Sequence, residues 1–460
     1  MSSLSFGKST YSCGNLVNLD CIDLDIQGNG LSKLNSEVFI TPGLLPYEKA
    51  TVRLLFRKKS FWLTELVNLN EKSNFRRDFP CKYAFNCGGC SLQHIHEEEQ
   101  LRIKQKMIKD VFSRIAGIND FIPFIKYSES SFFHYRNRTI LPVKFDFDNK
   151  FNIGYYQRGT HQVVDIDNCI ILHPQINIAL IQIKQILQTM RVCVSSDLIR
   201  EPSIRHIAIK VSNSSSNLLV TLITNKKKLQ NLSEISRMIY QIPSVSGVTQ
   251  NIQPNNSNVL FGKRNIKLDG NDYVDDYICN MKFRIKPNTF FQVNHKLSET
   301  VIRSLKYWFK RSESNRIFDC YCGVGTLSIP LSSEYVSILG VDSNIDSVDQ
   351  AKFNSMINNI KNANYIHGNV ENLFSSLLLS TDFLILDPPR KGLNKQIIKH
   401  IKIIKPKSIA YLSCNPSTLA RDLKELADPT IYKISLIQPY DFFPQTTHIE
   451  TLTILNRLTP

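Results

Sequence analysis

The strongest constraint on the fold is a regular alternation of short apolar runs and helical patterns after residue 314. Five runs are predicted to be strands with helices between them: RIFDC, SILGVD, NYIHG, DFLILD and SIAYLSC. Strands that alternate with helices form βαβ units on a mostly parallel sheet. Two further strands, ISLIQ and TLTIL, follow without a long helix between them. We therefore predict an α/β C-terminal domain whose sheet ends in a hairpin.

The residues before this region follow other patterns. Short alternating apolar runs within residues 1–70 are separated by turn signals and predict a small β-barrel. Residues 97–116 predict a helix with acids first and bases later, which suits the helix dipole, and we expect it to pack on the C-terminal domain. Between residues 130 and 288, strands mix with a helix near 176–190, which predicts an α+β domain. The expected domains are 1–70, 71–288 and 289–460.

The charge balance points to a class of partner. The chain carries 56 Lys and Arg against 40 Asp and Glu, a net charge of +16. An excess of this size favours nucleic acid, and the dispersal of the basic residues favours a broad phosphate-contacting face. There is no apolar run of about 18 or more residues and no basic start followed by an apolar stretch. We therefore expect no membrane span and a cytoplasmic location.

A glycine-containing turn follows the first strand of the α/β region, in the stretch FDCYCGVGT. Gly323 and Gly325 allow a tight turn before a helix that is predicted to open at Thr326. Asp342 ends the next strand, where a carboxylate can accept both ribose hydroxyls of a nucleoside cofactor. The third glycine of the dinucleotide pattern is absent, because residue 328 is Ser. This favours a cofactor without a pyrophosphate, such as S-adenosylmethionine.

Two more reactive side chains stand where parallel strands are predicted to end. Asp387 begins the turn of LILDPPRKG, and Cys414 follows the strand of AYLSCNPSTLARD. The carboxyl ends of parallel strands share one edge, where α/β sheets bind ligands. Cys414 could be a nucleophile, which requires a lowered pKa, or a small buried hydrophobe. Near the C-terminus, Glu450 lies among alternating apolar residues, so it either faces solvent or acts as a base in a site.

Four cysteines form a candidate metal site. Cys81, Cys87 and Cys90 fall within ten residues together with two glycines, and Cys169 is the best candidate for a fourth ligand. Four thiolates suit an iron–sulfur cluster or zinc, and the spacing by itself leaves both open. Disulfides are not expected in a cytosolic chain of this length.

Taken together, the motifs DCYCGVGT, LDPPRKG, SCNPSTLARD and FPQTTHIET resemble the RNA uracil-5-methyltransferase family over almost the whole chain. The resemblance implies a Rossmann-like class I methyltransferase domain that uses S-adenosylmethionine. The N-terminal barrel resembles a TRAM domain, an OB-like RNA-binding module, although LLPYE stands where many members have PGE. The cysteine pattern resembles that of the subgroup that methylates 23S rRNA, which implies a [4Fe–4S] cluster on the four cysteines in the central domain.

The resemblance also implies roles for single residues. It implies that Cys414 attacks C6 of a uracil and that Glu450 is the general base. Phe290 or Phe291 is expected to stack on a base, and Arg136 is expected to contact RNA. Asp342 departs from the usual glutamate and is shorter by one methylene. The residues with implied cofactor contacts are Gln292, Tyr321, Gly323, Gly325, Thr326, Asp342, Asn369 and Asp387.

Three other functions are compatible with parts of the pattern. Relatives without the cysteine cluster act on tRNA, so tRNA is an alternative substrate to 23S rRNA. A C5 methyltransferase acting on cytosine would usually have Pro before the cysteine, whereas Ser precedes Cys414. A non-catalytic RNA-binding protein that keeps the fold would not need both Cys414 and Glu450. RNA is the expected partner in most of these cases, and no obligate protein partner is indicated.

Overall fold

The computed structural model describes residues 11–120, 122–145, 151–191, 202–255 and 259–458. Within these residues, no helix is long and apolar enough to cross a membrane. The chain divides into two compact units. Unit 1 contains Met1–Ala84, Gly89–Ile103 and Gln445–Thr447, and unit 2 contains Phe85–Gly88, Lys104–Pro444 and His448–Pro460. The division into three domains is finer and stays a prediction.

Unit 1 contains a five-stranded barrel. Its strands are β1 (Leu16–Leu24), β2 (Gly30–Leu34), β3 (Glu37–Thr41), β4 (Lys49–Arg57) and β5 (Trp62–Glu71). They close in the order β1-β2-β3-β5-β4, so the barrel predicted within residues 1–70 is confirmed. Alternating side chains point inward and form an apolar interior that includes Leu19, Phe39, Val52 and Trp62.

The segment after the barrel is fixed to it by a buried ion pair. The Glu48 carboxylate is fully buried and accepts two hydrogen bonds from the Arg76 guanidinium, at 2.5 and 2.7 Å. It also accepts from the backbone N–H groups of Leu45 and Ser73. A buried carboxylate is stable when its oxygens are satisfied in this way.

Unit 2 begins with a sheet of seven strands. These are β6 (Arg138–Phe145), β7 (Phe151–Tyr156), β8 (Val163–Asp165), β9 (Ile204–Val211), β10 (Leu218–Thr224), β11 (Val245–Ile252) and β12 (Arg264–Gly270). Their order is β12-β11-β10-β9-β6-β7-β8. Helices α2 (Pro174–Thr189) and α3 (Leu232–Tyr240) pack on one face of this sheet. The predicted mixture of strands with a helix near 176–190 is confirmed.

A hairpin and a second seven-stranded sheet follow. The hairpin is β13 (Val274–Ile278) and β14 (Met281–Ile285). The strands of the sheet are β15 (Arg316–Cys320), β16 (Ser337–Asp342), β17 (Ala363–His367), β18 (Phe383–Leu386), β19 (Ser408–Ser413), β20 (Tyr432–Tyr440) and β21 (Glu450–Arg457). The helices are α4 (His295–Ser312), α5 (Ile345–Ile357), α6 (Val370–Leu377), α7 (Lys395–Ile404) and α8 (Pro416–Leu426).

This sheet has the predicted α/β topology. Its order is β17-β16-β15-β18-β19-β21-β20, and the first five strands of that order are parallel. Strand β21 inserts between β19 and β20 and is antiparallel to both, which confirms the closing hairpin. An apolar core that includes Ile317, Ile338, Phe383 and Leu452 packs around the sheet.

The helix predicted to open at Thr326 is wrong. Between β15 and β16 the chain forms turns and a short 3-10 helix, Ile329–Leu331. Pro330 has no N–H group to donate, and it disfavours helical backbone at the residue before it. The other three parallel crossovers contain helices α5, α6 and α7, as predicted.

The helix predicted over residues 97–116 is present in two parts. Helix α1 (Glu97–Val111) continues as a π-helical turn, Phe112–Ala116, which ends at left-handed Gly117. Within unit 2, this turn packs against α8. Lys104 of α1 forms a 2.5 Å ion pair with Asp441, and both side chains are fully buried. From Lys104 onward, the helix therefore contacts α8 and the residue that follows β20.

Candidate active site

Five reactive side chains meet at one edge of the second sheet in unit 2. Asp319 is the last residue but one of β15, and Asp342 ends β16. Asp387 follows β18, Cys414 follows β19, and Glu450 begins β21. Strand register brings the last two together, because Ser413 of β19 lies opposite Thr451 of β21. Charge interactions link Asp387 with Asp319, Cys414 and Glu450.

The Asn-Pro sequence after Cys414 fixes the loop that carries the thiol. The Asn415 side chain caps α8 by accepting from the Ser417 N–H at 3.1 Å. Its amide donates to the Arg390 carbonyl at 3.0 Å, and the Thr418 hydroxyl donates to the same carbonyl at 3.2 Å. The loop of Cys414 and the loop after Asp387 are therefore held together by one backbone oxygen.

A buried carboxylate makes a second connection between these loops. Asp422 of α8 accepts from the Leu393 N–H and from the Tyr411 hydroxyl, each at 2.8 Å. Arg421 donates to Asp422 and to the Lys391 carbonyl. The sequence analysis assigned no role to these residues, although all of them except Leu393 lie inside the two quoted motifs.

Gly392 lies against the side chains of Asp422 and Arg421, where the backbone conformation and the lack of space both require glycine. Its φ is +75°, and a Cβ there would lie 2.6 Å from a carboxylate oxygen of Asp422 and 2.7 Å from the Arg421 guanidinium.

We predict that Gly392→Ala displaces the loop and lowers methyl transfer at least tenfold, as expected for a misplacement of about 1 Å. Gly117→Ala is the matched control, since its φ is +69° and its Cβ meets nothing within 4 Å. Equal activity of the two variants in a methyl-transfer assay would contradict the role of the loop contacts.

The Cys414 thiol is not acidic in this structure. Burial is the main cause that raises its pKa to about 11, and Glu450 and Asp387 add to it. The Arg390 guanidinium opposes them by its charge and by a hydrogen bond to the thiol. The sequence analysis noted that a nucleophilic Cys414 requires a lowered pKa, whereas the net shift in the substrate-free protein is upward. Arg390 is a functional candidate that it did not identify.

Arg390 is held in turn by His448. Their side chains are 3.2 Å apart, from Nη2 to Nε2. Burial, followed by the charge of Arg390, lowers the pKa of His448 to about 4. The imidazole is therefore neutral at pH 7, and its unprotonated nitrogen can accept a hydrogen bond from the guanidinium.

Glu450 is inside the site and does not face solvent. Its side chain is only 7% exposed, and burial raises its pKa well above the usual range, with Asp387 as a further cause. Arg390 opposes this shift. A carboxylate with a raised pKa is a stronger base once it is ionised. This decides between the two orientations that the sequence left open.

Two carboxyl groups at the sheet edge are poised near neutral pH. Both oxygens of Asp319 are buried, and the Ser328 hydroxyl beside them favours the ionised form of this carboxyl group against the effect of burial. Burial raises the pKa of Asp319 to about 7, and Asp387 and Asp342 contribute. Burial and Asp342 likewise raise the pKa of Asp387 to about 7. A cationic ligand beside these carboxyl groups would stabilise their ionised forms.

The turn after β15 is shaped around Asp342. Its two oxygens accept from the backbone N–H groups of Gly323 and Asn344, at 2.9 and 2.8 Å. Gly323 and Gly325 have φ angles of 53° and 83°, which glycine adopts without strain. Tyr321 is also left-handed, and its hydroxyl donates to Glu371 at 3.4 Å. Each carboxylate oxygen of Asp342 keeps a lone pair for a further donor.

The remaining predicted contacts differ in accessibility. Phe290 is 55% exposed, whereas Phe291 is 4% exposed and packs beside Phe283 in the core. Phe290 is therefore the more accessible of the two rings, and the stacking role stays a prediction. Gln292 is buried, and its backbone carbonyl accepts from Asn137 at 3.1 Å.

Three further candidates have other surroundings. Thr326 is buried. Arg136 is half-buried and donates from Nε to the Arg138 carbonyl. Asn369 is exposed, and its side chain caps α6 by accepting from the Glu371 N–H at 2.9 Å. The predicted roles of these residues in cofactor or RNA binding stay predictions.

The four candidate metal ligands do not form a recognisable metal site. Cys81 is buried, and Cys87, Cys90 and Cys169 are half-buried. In unit 2, burial raises the pKa of the Tyr155 phenol, and Cys169 and Cys87 both add to the shift, so both thiols lie near this phenol. Across the described ranges, no group of three or more His, Cys, Asp or Glu is arranged to hold a metal ion. The cluster is therefore not confirmed.

Comparisons with known proteins identify the family of this chain. Residues 96–458 match the family described as tRNA (Uracil-5-)-methyltransferase. An uncharacterized RNA methyltransferase of Prochlorococcus marinus is 40% identical over 418 residues, which cover 90% of this chain and 100% of that protein. Another from Parasynechococcus marenigrum is 35% identical over 447 residues, which cover 96% of each.

A solved structure is also similar over the whole chain. The tRNA (uracil-54, C5)-methyltransferase of Pyrococcus abyssi, in complex with S-adenosyl-L-homocysteine, is 26% identical with a TM-score of 0.77. The match covers 95% of this chain and 100% of that one. The fold and the comparisons thus define an α/β methyltransferase. The chain belongs to the tRNA (uracil-5-)-methyltransferase family, whose members are S-adenosylmethionine-dependent RNA methyltransferases.

Proposed function

We propose that the protein methylates C5 of a uridine in RNA, with S-adenosylmethionine as the methyl donor. The observation that carries this proposal is the proximity of Cys414 and Glu450 at the end of the β19–β21 ladder, where both interact with Asp387. A nucleophile and a base on one side of a bound ring are what substitution at C5 requires.

The residues at the edge fit the proposed donor. Asp342 can accept the ribose hydroxyls, and Asp319 and Asp387 carry buried carboxyl groups that a cationic ligand would stabilise. The Pyrococcus abyssi relative was solved with the demethylated product of this donor, which supports the assignment. When bound, S-adenosylmethionine supplies a methyl group on a positively charged sulfonium.

The residues of the chain account for the remaining chemistry. The Cys414 thiolate adds to C6 of uracil, which makes C5 electron-rich. C5 takes the methyl group, and the donor leaves as S-adenosylhomocysteine. Glu450 then removes the proton from C5, the bond between C6 and Sγ breaks, and Cys414 is released as a thiolate. The target nucleotide must leave its base stack to reach both groups.

The positively charged Arg390 guanidinium favours the thiolate form of Cys414, which is the reactive form. It lowers the pKa of Cys414 against the effects of burial and Glu450. Its backbone carbonyl is fixed by Asn415 and Thr418, and its guanidinium contacts His448. We propose that these contacts position Arg390 for the attack on C6.

We propose 23S rRNA as the substrate, on the basis of the four cysteines, and tRNA as the second candidate. The tRNA candidate is favoured by the Pyrococcus abyssi relative, which is a tRNA (uracil-54, C5)-methyltransferase. The N-terminal barrel is proposed to act as a TRAM domain that holds flanking RNA. Incubation with labelled S-adenosylmethionine and either unmodified 23S rRNA or unmodified tRNA tests the choice. Label in tRNA alone would overturn the rRNA proposal, and label in neither would overturn the proposed function.

We also propose a [4Fe–4S] cluster on Cys81, Cys87, Cys90 and Cys169, supported by their spacing and by the resemblance. No step of the chemistry is assigned to it. We predict that anaerobically purified protein is brown and contains iron and sulfide, and that Cys169→Ser loses them. Cys279→Ser, another half-buried cysteine of unit 2, is the control and should retain them. Colourless protein with stoichiometric zinc, or with no metal, would reject the cluster.

A further inference from the structure

The first sheet of unit 2 separates its charges between its two faces. Register places basic side chains on the face opposite α2 and α3, and on β6 and β9–β12 this face carries no acidic residue. The basic residues are Arg138, Lys144, Lys210 and Lys267. On the helix-covered face, Asp269 accepts a hydrogen bond from Ser236 of α3. Lys144 and Lys267 carry the accessible positive charge of this face, because burial lowers the pKa of both Arg138 and Lys210.

A cavity of about 330 Å³ lies at the edge of this basic face. Its charged lining residues are Lys263, Arg264, Lys267, Lys286, Asp272 and Asp346. One oxygen of Asp346 already accepts a hydrogen bond from the Asn288 amide. Four cations against two acids favour an anionic ligand. The volume lies in the range of small-molecule sites and is large enough for a single nucleotide.

The cavity lining also includes a hydrogen-bond acceptor, the Oδ1 atom of Asn288, that none of the lining cations contacts. The Asn288 Oδ1 atom is buried and, within the described part of the chain, lacks a hydrogen-bond partner. A ligand that satisfies it must donate an N–H or O–H group. The pocket therefore matches a ligand with an anionic group and a separate donor, which a ribonucleotide provides through its phosphate and its 2′-hydroxyl or base.

Lys210 anchors the segment that contributes Lys286 and Asn288 to the cavity lining. Lys210 is buried, and its Nζ donates to the carbonyls of Lys286 and Thr289, at 2.5 and 2.7 Å. These two bonds bracket Asn288. Two residues after Asn288 comes the exposed ring of Phe290, the candidate for stacking on a base. A nucleotide in the pocket would thus be held next to the segment expected to meet the target.

We infer that this pocket binds one nucleotide of the RNA substrate that flanks the target uridine, with its phosphate on Lys263 and Lys267 and a donor group on Asn288. The inference rests on the proposed function and specifies how the RNA is held. An acidic protein segment would also meet the positive charge, but the combination of an orphan acceptor with a cavity of nucleotide size favours RNA.

Binding of a fluorescein-labelled oligouridylate, measured by anisotropy over a salt series, tests this inference. The double variant Lys263→Glu/Lys267→Glu is expected to bind at least tenfold more weakly. Lys267→Ala should reduce the slope of log affinity against log salt by about 1, as expected for one phosphate contact. Asn288→Leu should weaken binding without changing that slope. The matched control is Lys399→Glu/Lys402→Glu on the exposed face of α7, which makes the same charge change.

The outcomes separate this inference from the proposed function, because binding does not require methyl transfer. Equal weakening in the control would show an effect of net charge and would overturn the pocket. So would unchanged binding in the double variant, or competition by polyglutamate as strong as that by unlabelled oligouridylate. Wild-type protein that binds RNA through the pocket but transfers no methyl group would overturn only the proposed activity.

Discussion

RNA incubated with the Glu450→Gln variant and S-adenosylmethionine is expected to remain covalently attached to Cys414. Glutamine keeps the size of the side chain but cannot accept the C5 proton, so the methylated adduct cannot eliminate the thiolate. We expect turnover to fall by about 10²- to 10⁴-fold, the usual contribution of a general base. A denaturing gel with labelled RNA measures the adduct as a band of protein mobility.

Two controls make this result specific. Glu450→Gln combined with Cys414→Ala should give no adduct, because the attacking sulfur is missing. Glu425→Gln on the exposed face of α8 removes one carboxylate elsewhere and should turn over like wild type. Glu450→Gln protein that turns over normally and shows no adduct would contradict the assignment of the base.

The second large effect is the pH dependence of Cys414 reactivity in the substrate-free protein. Only the thiolate reacts with iodoacetamide, and a pKa of about 11 leaves about one thiol in a thousand ionised at pH 8. The alkylation rate of the Cys414 peptide, followed by mass spectrometry, should therefore rise about tenfold per pH unit from pH 8 towards pH 11.

Arg390 should shift this profile in a defined direction. Because its guanidinium lowers the pKa of Cys414, Arg390→Met is expected to raise that pKa and slow alkylation at every pH below it. Arg303→Met is the matched control, since Arg303 is exposed on α4, pairs with Glu299 and is not among the groups that shift this thiol. A rate that already levels off near pH 9 would contradict the raised pKa.

The reactive strand ends could be predicted from sequence for a physical reason. In a parallel sheet, the carboxyl ends of the strands share one edge, so recognising the strands was enough to place Asp342, Asp387 and Cys414 together. The orientation of Glu450 could not be predicted by alternation. Strand β21 lies between two neighbours and is buried along both faces of its first six residues, so alternation there does not distinguish solvent from core.

The residues that sequence analysis missed act through contacts distant in the chain. Asn415 and Asp422 bond to backbone groups of Arg390 and Leu393, and no local pattern reports such a contact. Asp319 lies in the same stretch as Gly323 and Gly325, but the raised pKa of its carboxyl group follows from burial, which no local pattern reports. The helix predicted at Thr326 does not form, because Pro330 has no backbone N–H group to donate.

The most direct test of the central claim is the identity of the methylated nucleoside. Wild-type and Cys414→Ala protein are incubated with labelled S-adenosylmethionine and unmodified RNA, and the RNA is digested to nucleosides. The account predicts label in 5-methyluridine with wild type and none with the variant, while both proteins bind RNA equally. Label in 5-methylcytidine, or full formation of 5-methyluridine by Cys414→Ala, would contradict it.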